Sequence, residues 1–449
     1  MTNGVPSYRS DYIPYASDVR GRRGSSRRQE VPEKRESVDR MLSLSVLSAI
    51  AIIQILLYQL NIGLFKSDHT SIILFMVMAG YFITSFVIVE NFSKGGITYS
   101  GFILQKFLKL WPTILCVVGL SFLATLIGLH KYFPSTSKSC LPALLCYENV
   151  YAMGKGLLPL ACNVAECPLS HLWFMSFEVQ FMLIWPAVVT ALVGRGSQDT
   201  GGRPLRKLSF MLAIASAVEM ALFYLFGNSI SRVYFGFDTR IFSFALGSWL
   251  ACMWPWGQFP QRPVVPRSKQ PLIWRMITQS SVRLAGLVSF ISMILISVFI
   301  PQDSSFYYLG GMYLLSIMSV CVVADAMMIG GLFTSLSSIQ VLVRAGKRAY
   351  SLYAWHYPIF MFLGVYRAEC NALCKLIALV LTILLAEVTY FLFEYEQPKN
   401  KASRTRSLKQ NKYGNVSRTS SRRSTRRRPS SYNSYNQRKQ YRRYSQIRH

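Results

Sequence analysis

Residues 71–90 read SIILFMVMAGYFITSFVIVE, a run of twenty residues in which only Glu90 is charged. A helix rises about 1.5 Å per residue, so a run of this length crosses roughly 30 Å of hydrocarbon. Lipid offers the backbone no hydrogen-bond partner, and a spanning segment must therefore be helical or part of a closed barrel. This stretch predicts a transmembrane helix and, with it, an integral membrane protein.

Apolar runs of similar length recur on both sides of this stretch. The chain of 449 residues is 51% hydrophobic and only 15% charged, which is unlike a soluble enzyme of this size. We predict an all-α fold, a polytopic membrane helix bundle of about ten transmembrane helices. The predicted spans are 42–64, 71–91, 107–129, 172–194, 208–227, 240–256, 284–300, 307–329, 350–367 and 375–394.

Two basic tails flank the predicted transmembrane domain at 41–398. The net charge of +29 is concentrated in residues 1–40 and 399–449, which are rich in Arg and Ser. Such segments cannot bury enough apolar surface to fold, so we predict disordered tails. Arg-Arg-x-Ser spacings in the C-terminal tail suit kinases, and the positive charge suits anionic lipids. Arg interleaved with Tyr can also bind nucleic acid, but on a membrane protein this is the less favoured interpretation.

The distribution of Lys and Arg among the loops predicts their sides. No cleavable signal peptide is expected, because a long polar segment precedes the first span. With the N-terminus inside, the cytoplasmic loops are rich in Lys and Arg and the opposite loops hold few. These cytoplasmic loops are 91–106, 195–207, 256–283 and 330–349. An even number of spans returns the C-terminus to the same side, so we predict two cytoplasmic termini.

Six of the nine cysteines fall in two loops predicted to be extracytoplasmic. They are Cys140, Cys146, Cys162 and Cys167 in the loop at 130–171, and Cys370 and Cys374 near the C-terminal end. An even count permits three disulfides, whose pairing the sequence does not decide. Disulfides form in oxidising compartments, which favours the plasma membrane or the secretory pathway. The remaining three, Cys116, Cys252 and Cys321, are interpreted as small buried hydrophobes.

Residues 170–186, SHLWFMSFEVQFMLIWP, place several polar side chains in one predicted span. Such residues are costly in lipid and often mark a functional site. His171 and Glu178 are seven residues apart and therefore share a helix face, two turns apart in depth. This suits a proton-handling pair, with Gln180 close by. Alternatively, Glu178 pairs with a neighbouring helix and His171 lies at the wet interface; the residues alone favour neither.

The HLWFMSFEVQFMLIWP segment resembles the hallmark of the acyltransferase 3 family of membrane O-acyltransferases. Other segments resemble further motifs of that family, in the expected order. They are SIILFMVMAGYFIT (71–84), QKFLKLWP (105–112), RVYFGFDTRIFSFALGSWLA (232–251), AGKRAYSLYAWHYPIF (345–360) and AEVTYFLFEYEQP (386–398). The resemblance covers residues 42–398. Paired cysteines before the hallmark make the chain most similar to the animal nose-resistant-to-fluoxetine branch.

The resemblance implies transfer of an acyl group to a hydroxyl of a carbohydrate or lipid acceptor. The donor is commonly acetyl-CoA, an acyl-CoA that acts as substrate, so neither a metal nor a bound cofactor is expected. The family's basic donor motif corresponds to Lys106 and Lys109, where arginine is usual. Lysine attracts a phosphate but lacks the bidentate guanidinium fork, so weaker CoA binding is implied.

The resemblance also exposes a departure in the first span. The family's supposed catalytic pair there, a basic residue and a histidine eleven apart, corresponds to Ser48 and Gln59. A glutamine amide cannot accept a proton near neutral pH, so Gln59 can only orient a substrate. Ile73 and Ala79 stand where the second-span motif has an acid and a serine. The four changes point to altered or absent chemistry, with His171 as the substitute base.

Further polar and aromatic residues of the motifs are candidates for the site. They are Arg240, joining Lys106, Lys109 and Ser48 as candidates for donor binding, and Trp173, Tyr350, Tyr353 and His356. A structural role is favoured for His356, because the surrounding Tyr-x-Trp-His-x-Pro cluster can satisfy an imidazole. The two tyrosines are interpreted mainly as aromatic packing.

Three functions remain open at this point. An active acyltransferase is favoured by the complete order of motifs. A catalytically inactive relative that binds a lipid or a membrane partner is favoured by the altered first span. A small-solute transporter is disfavoured, because the chain shows no inverted repeat or pair of Gly/Pro-interrupted spans.

Overall fold

The computed structural model describes residues 26–94, 99–157, 167–193, 202–254, 279–328, 330–367 and 370–395, and these segments are helical with no strand among them. The predicted helical membrane bundle is confirmed. Its helices are α1 (Ser26–Gln59), α2 (His69–Lys94), α3 (Tyr99–Ile127), α4 (Phe133–Leu144), α5 (Glu148–Gly154), α6 (Trp173–Val193), α7 (Gly202–Leu225), α8 (Ile230–Phe235), α9 (Phe237–Met253), α10 (Gln279–Phe299), α11 (Met312–Ala326), α12 (Leu332–Leu336), α13 (Gln340–Lys347), α14 (Ala349–Phe362) and α15 (Ala372–Thr389). Turns of π-helix at Tyr307–Gly311 and Tyr390–Glu394 extend α11 and α15.

Eight of the described helices are long and apolar enough to cross a membrane. The predicted count of ten included two segments that fold into shorter helices, α9 with 17 residues and α14 with 14. At 1.5 Å per residue these two helices measure about 25 and 21 Å. Both are buried inside the bundle, where neighbouring helices rather than lipid surround them.

The N-terminal helix is longer than the sequence predicted. Helix α1 already begins at Ser26, whereas disorder was predicted over residues 1–40; the prediction is wrong for the part from Ser26 onward. The remaining tail predictions, for residues 1–25 and 396–449, fall outside the described residues.

We call the end of the bundle where α1 ends and α2 begins the upper end, and the opposite end the lower end. Helices α1, α2 and α6 are central, because 67, 78 and 72% of the residues in their apolar stretches are buried. Helices α7, α10 and α15 bury only 22, 17 and 28%. The outer faces of these three helices expose Leu, Ile and Val side chains, as lipid contact requires.

Helices α2 and α9 run side by side with their backbones in contact. A Cβ added to Gly80 would meet the carbonyl of Phe244, and one added to Gly247 would meet the carbonyl of Val77. Small residues permit this close approach in membranes, where helix packing depends on van der Waals contact and on interhelical hydrogen bonds. The approach fixes the upper end of α9 relative to the upper end of α2.

A short helical hairpin enters the bundle from the upper end. It consists of α4 and α5, residues 133–154. The carbonyl oxygen of Cys146, at its turn, accepts a hydrogen bond from Gln180 Nε2 at 3.1 Å, and the same nitrogen donates to Asn149 Oδ1 at 2.8 Å. Gln180 lies about 10 Å below the first residue of α6 by the helix rise. The sequence predicted an extracytoplasmic loop over 130–171; this part of it inserts instead, because its polar turn finds partners inside.

The cysteine prediction is also revised. The described cysteines are free thiols, whereas three disulfides were considered; Cys162 lies outside the described residues. Cys146 is at the inserted turn of the hairpin and is buried. Cys370 and Cys374 lie close together, and their thiols interact at the upper end.

Candidate functional site

A buried group of polar residues lies at the upper end, between α1, α2, α9 and the segment before α11. We call it the upper polar layer, and it consists of Gln59, Asp68, His69, Arg240 and Gln302, which are all buried. Burying so many polar groups is costly unless they are paired. Several of their atoms nevertheless lack a partner among the described residues, and a ligand or ordered water would satisfy them.

The imidazole of His69 has one occupied and one free nitrogen. Its Nε2 lies 3.1 Å from the carbonyl oxygen of Gln302. A carbonyl can only accept, so Nε2 carries the hydrogen and Nδ1 is the basic nitrogen. Nδ1 has no hydrogen-bond partner in the described part of the chain. The ring packs edge-on against Tyr307, with centroids 4.4 Å apart, and at 5.6 Å from Tyr234.

Asp68, immediately before His69, is held by amides from two other segments. Its Oδ2 accepts from Gln59 Nε2 at 3.2 Å, and its backbone N–H donates to Gln302 Oε1 at 3.2 Å. Burial raises the pKa of Asp68 to about 6, although Arg240 and the hydrogen bonds act in the opposite direction. Its second oxygen, Oδ1, has no described partner.

Arg240, the fourth residue of α9, has a fully buried guanidinium. Its Nη1 contacts the sulfur of Met312, while Nε and Nη2 have no hydrogen-bond partner among the described residues. Its Cζ lies 4.7 Å from the ring centroid of Tyr234 and 5.7 Å from that of Trp173. Aromatic faces can stabilise a desolvated cation. Two donor nitrogens, with three N–H groups between them, therefore remain for an anionic or carbonyl oxygen.

His171 lies in an aromatic cluster beside this layer. Its Nε2 is 3.0 Å from the carbonyl oxygen of Ala354, and its ring stacks on Tyr357 with centroids 5.1 Å apart. Tyr353 donates from its hydroxyl to the carbonyl of His171 at 2.9 Å. His356 packs edge-on at 5.4 Å and is held through Nδ1, 2.6 Å from the carbonyl of Tyr353. The structural role favoured for His356 fits this contact.

The predicted pair of His171 and Glu178 is not brought together. Glu178 instead interacts with the charge of Lys106 and with Tyr350, closer to the lower end. The hydroxyl of Tyr350 donates to the carbonyl of Leu110 at 2.9 Å, next in sequence to Lys109. Lys106 and Glu178 therefore belong to a separate group nearer the lower end, which we call the lower group, and Lys109 lies on the same helix as Lys106.

The side chains of two other predicted site residues form hydrogen bonds within the fold. The amide of Gln180 is taken up by the hairpin. Ser48 is fully buried, and its hydroxyl donates to the carbonyl of Leu44 in its own helix at 3.0 Å. Neither contact indicates acid–base or donor-binding chemistry.

Comparison with known proteins agrees with the motifs. Residues 44–391 match the family model of acyltransferase 3 type, described as an acyltransferase domain. The chain belongs to the acyltransferase 3 family. This confirms the resemblance noted in the sequence.

Curated relatives within the acyltransferase 3 family are named as O-acetyltransferases. O-acetyltransferase OatA of Staphylococcus aureus (strain NCTC 8325 / PS 47) is 29% identical over 364 residues, which cover 81% of this chain and 58% of the relative. Peptidoglycan O-acetyltransferase OatA of Listeria monocytogenes is 25% identical over 360 residues, 80% of this chain and 56% of the relative. The chain thus spans a little over half the length of these relatives. No solved structure matches it significantly.

The first span lacks the histidine of the acyltransferase 3 pattern, but the structure places another histidine nearby, one that the sequence did not predict as a site residue. Gln59, at the expected histidine position, accepts from the Tyr366 hydroxyl at 3.0 Å and donates to Asp68. His69 directly follows Asp68, so the layer does contain an imidazole. The signal was an Asp-His pair just before an apolar run, but the predicted span began at residue 71 and excluded it.

Proposed function

We propose that this acyltransferase 3 protein transfers an acetyl group from acetyl-CoA to a hydroxyl of a carbohydrate or lipid acceptor. The observation that carries the proposal is Arg240, a buried guanidinium with two unpaired nitrogens in a layer that also contains a histidine. Acyl transfer develops negative charge on the carbonyl oxygen, and preorganised donors in a water-poor site stabilise that charge strongly. A histidine supplies the base that the acceptor hydroxyl needs.

The donor is proposed to enter at the lower group. Lys106 Nζ lies 5.4 Å from the ring centroid of Phe86 on α2, and lysine attracts phosphate as a point charge. Phe86 lies about 25 Å along α2 from His69 at 1.5 Å per residue. The long, narrow pantetheine arm of CoA would have to reach across most of this depth, with the nucleotide phosphates at Lys106 and Lys109.

The acceptor is proposed to bind at the upper end. The relatives are named as O-acetyltransferases, which supports an acetyl group, and the name of the Listeria relative gives peptidoglycan as its acceptor. The orphaned atoms of Asp68, His69 and Arg240 include both donors and acceptors, which suits a hydroxyl-bearing molecule. We place the lower end and both termini in the cytoplasm, where acetyl-CoA and anionic lipid for the basic tails are both present.

Transfer by the purified full-length chain tests this function. The protein, in lipid nanodiscs, is given radiolabelled acetyl-CoA with a panel of oligosaccharide and glycolipid acceptors, and acetylated product is separated from free acetate. We expect product that depends on both acceptor and protein, and a raised KM for acetyl-CoA when Lys106 and Lys109 are both changed to Ala. If no product exceeds that of empty nanodiscs with any acceptor, the non-catalytic binding role stands instead.

A further inference from the structure

We infer that His69 is the general base of this transfer, the role that the sequence predicted for His171. The inference rests on the proposed function and names the residue that takes the acceptor proton. His69 is the first residue of α2, and its imidazole contributes to the upper polar layer together with Arg240.

The segment before His69 is held rigidly in place. Ser67 accepts from the backbone N–H of His69 at 3.2 Å and, through its carbonyl, from the Ser297 hydroxyl at 2.7 Å. The backbone N–H of Lys66 donates to the carbonyl of Ser297 at 2.8 Å, and Gln302 donates from its own N–H to the carbonyl of Lys66 at 3.1 Å. These bonds join the α1–α2 connection to the end of α10. Such support fixes a ring to the tolerance that proton transfer requires.

The orientation of the His69 ring follows from the same support. Gln302 fixes Nε2 as the protonated nitrogen, so the lone pair on Nδ1 is available. A neutral imidazole with one nitrogen bonded to a carbonyl and the other free has the arrangement of a general base. The remaining contacts of the ring are edge and tilted packing against Tyr307 and Tyr234.

His171 also has an Nδ1 without a hydrogen-bond partner among the described residues, so the two histidines differ in their surroundings rather than in their free nitrogen. Taking up a proton creates an imidazolium, which is costly in an apolar interior unless a counter-charge is near. The ring of His171 is bounded by Tyr357, Tyr353 and His356. The carbonyls of Ala354 and Pro168 also interact with it. His69 instead lies beside the same Tyr234 ring as the guanidinium of Arg240, with its own ring centroid 5.6 Å and the Arg240 Cζ 4.7 Å from that ring. It is therefore the imidazole placed next to the donor proposed for the developing oxyanion, and burial together with the positive charge of Arg240 keeps it neutral at rest.

The reaction balances with these groups. The acceptor oxygen attacks the thioester carbon while its proton passes to Nδ1 of His69, and the electron pair of the C=O bond moves onto oxygen beside Arg240. The carbonyl then re-forms, the C–S bond breaks, and the CoA sulfur leaves with the proton from Nδ1. An ester and CoA thiol result, and His69 returns to its neutral form.

Chemical rescue tests the assignment. His69→Ala and His69→Gln are measured with acetyl-CoA and the acceptor found for the wild type, with His171→Gln as the matched control. General-base removal costs about 10²–10⁴-fold in rate, so we expect kcat to fall by that range for both His69 variants with KM for acetyl-CoA unchanged. Added imidazole should restore His69→Ala, with a rate that rises with the basicity of substituted imidazoles. His171→Gln should retain more than a tenth of the wild-type kcat.

The outcomes separate the two proposals. Wild-type transfer that persists undiminished in His69→Ala overturns the assignment of the base and leaves the proposed function intact. An equal loss in His171→Gln, with no imidazole rescue of His69→Ala, also overturns the assignment. A second variant, His69→Gln with Gln59→His, places an imidazole where the Gln59 amide now lies 3.2 Å from Asp68, and partial recovery of kcat supports a base beside that carboxyl. Absence of transfer by the wild type overturns both proposals.

Discussion

Arg240→Gln is expected to lower both the stability of the fold and kcat, and a double variant can separate the two effects. Arg240 is the cation that acts on the buried Asp68, and removing one partner of a buried charge pair costs about 3–5 kcal/mol. The contacts with Tyr234 and Trp173 at 4.7 and 5.7 Å are lost as well, each worth about 2 kcal/mol when desolvated. Part of this cost is avoided because Asp68, with a pKa already near 6, can take up a proton.

The double variant Arg240→Gln with Asp68→Asn distinguishes the two contributions. Neutralising both partners removes the unpaired charge, so we expect thermal unfolding in detergent to return at least halfway to the wild-type midpoint. Turnover should not return, because loss of an oxyanion donor costs about 10²–10³-fold in kcat. The assay is initial-rate acetyl transfer in nanodiscs, with folded protein quantified by size exclusion.

Two results would refute this reasoning. Wild-type stability in Arg240→Gln would show that the guanidinium does not offset the Asp68 carboxylate. A double variant that regains both stability and turnover would show that Arg240 serves the fold alone and touches no reacting oxygen.

Four further predictions concern other parts of the molecule. Burial raises the pKa of Glu148 to about 8, so the neutral carboxyl is favoured in the folded protein. The unfolding free energy should fall by roughly 2 kcal/mol from pH 6 to pH 8, and Glu148→Gln should remove that slope in thermal melts. Gly247→Val places side-chain atoms against the α2 backbone and should cost about 1–3 kcal/mol or more, whereas Gly119→Val, where a Cβ meets nothing within 4 Å, should melt as wild type. Lys106→Ala alone should raise KM for acetyl-CoA with little change in kcat; a fall in kcat at constant KM would contradict a phosphate contact. The C-terminal tail contains an Asn-Val-Ser glycosylation sequon at Asn415. If the tail is cytoplasmic, as predicted, Asn415 should remain unmodified in glycosylation-competent microsomes, and a glycan there would contradict the predicted cytoplasmic side.

The sequence was sufficient for eight of the ten predicted spans, because transfer of apolar residues into lipid is nearly additive along a helix. The order of the motifs was sufficient for the family. It could not place His69, whose burial depends on Gln302, 233 residues away. A hydropathy window finds two polar residues before the apolar run and therefore begins the helix after them. The partners that satisfy those residues belong to a segment that folds back from the end of α10.

The inserted hairpin escaped prediction for a related reason. Its turn carries polar groups that would be unfavourable in lipid, and the sequence therefore indicated a solvent-exposed loop. In the structure, Gln180 and Asn149 satisfy each other and the carbonyl of Cys146. Gln180 was correctly chosen as an important polar residue, but its contacts support the hairpin rather than acid–base chemistry.

The close contact of α2 with α9 has a consequence for how the protein responds to its membrane. Bilayers differ in thickness by several ångströms among compartments, and helices adapt by tilting. Lipid-facing helices such as α7, α10 and α15 can tilt individually, but α2 and α9 touch through Gly80 and Gly247 and must move as one body. His69 and Arg240 are carried at the upper ends of these two helices, so their spacing should be the same in a thin membrane and in a thick one.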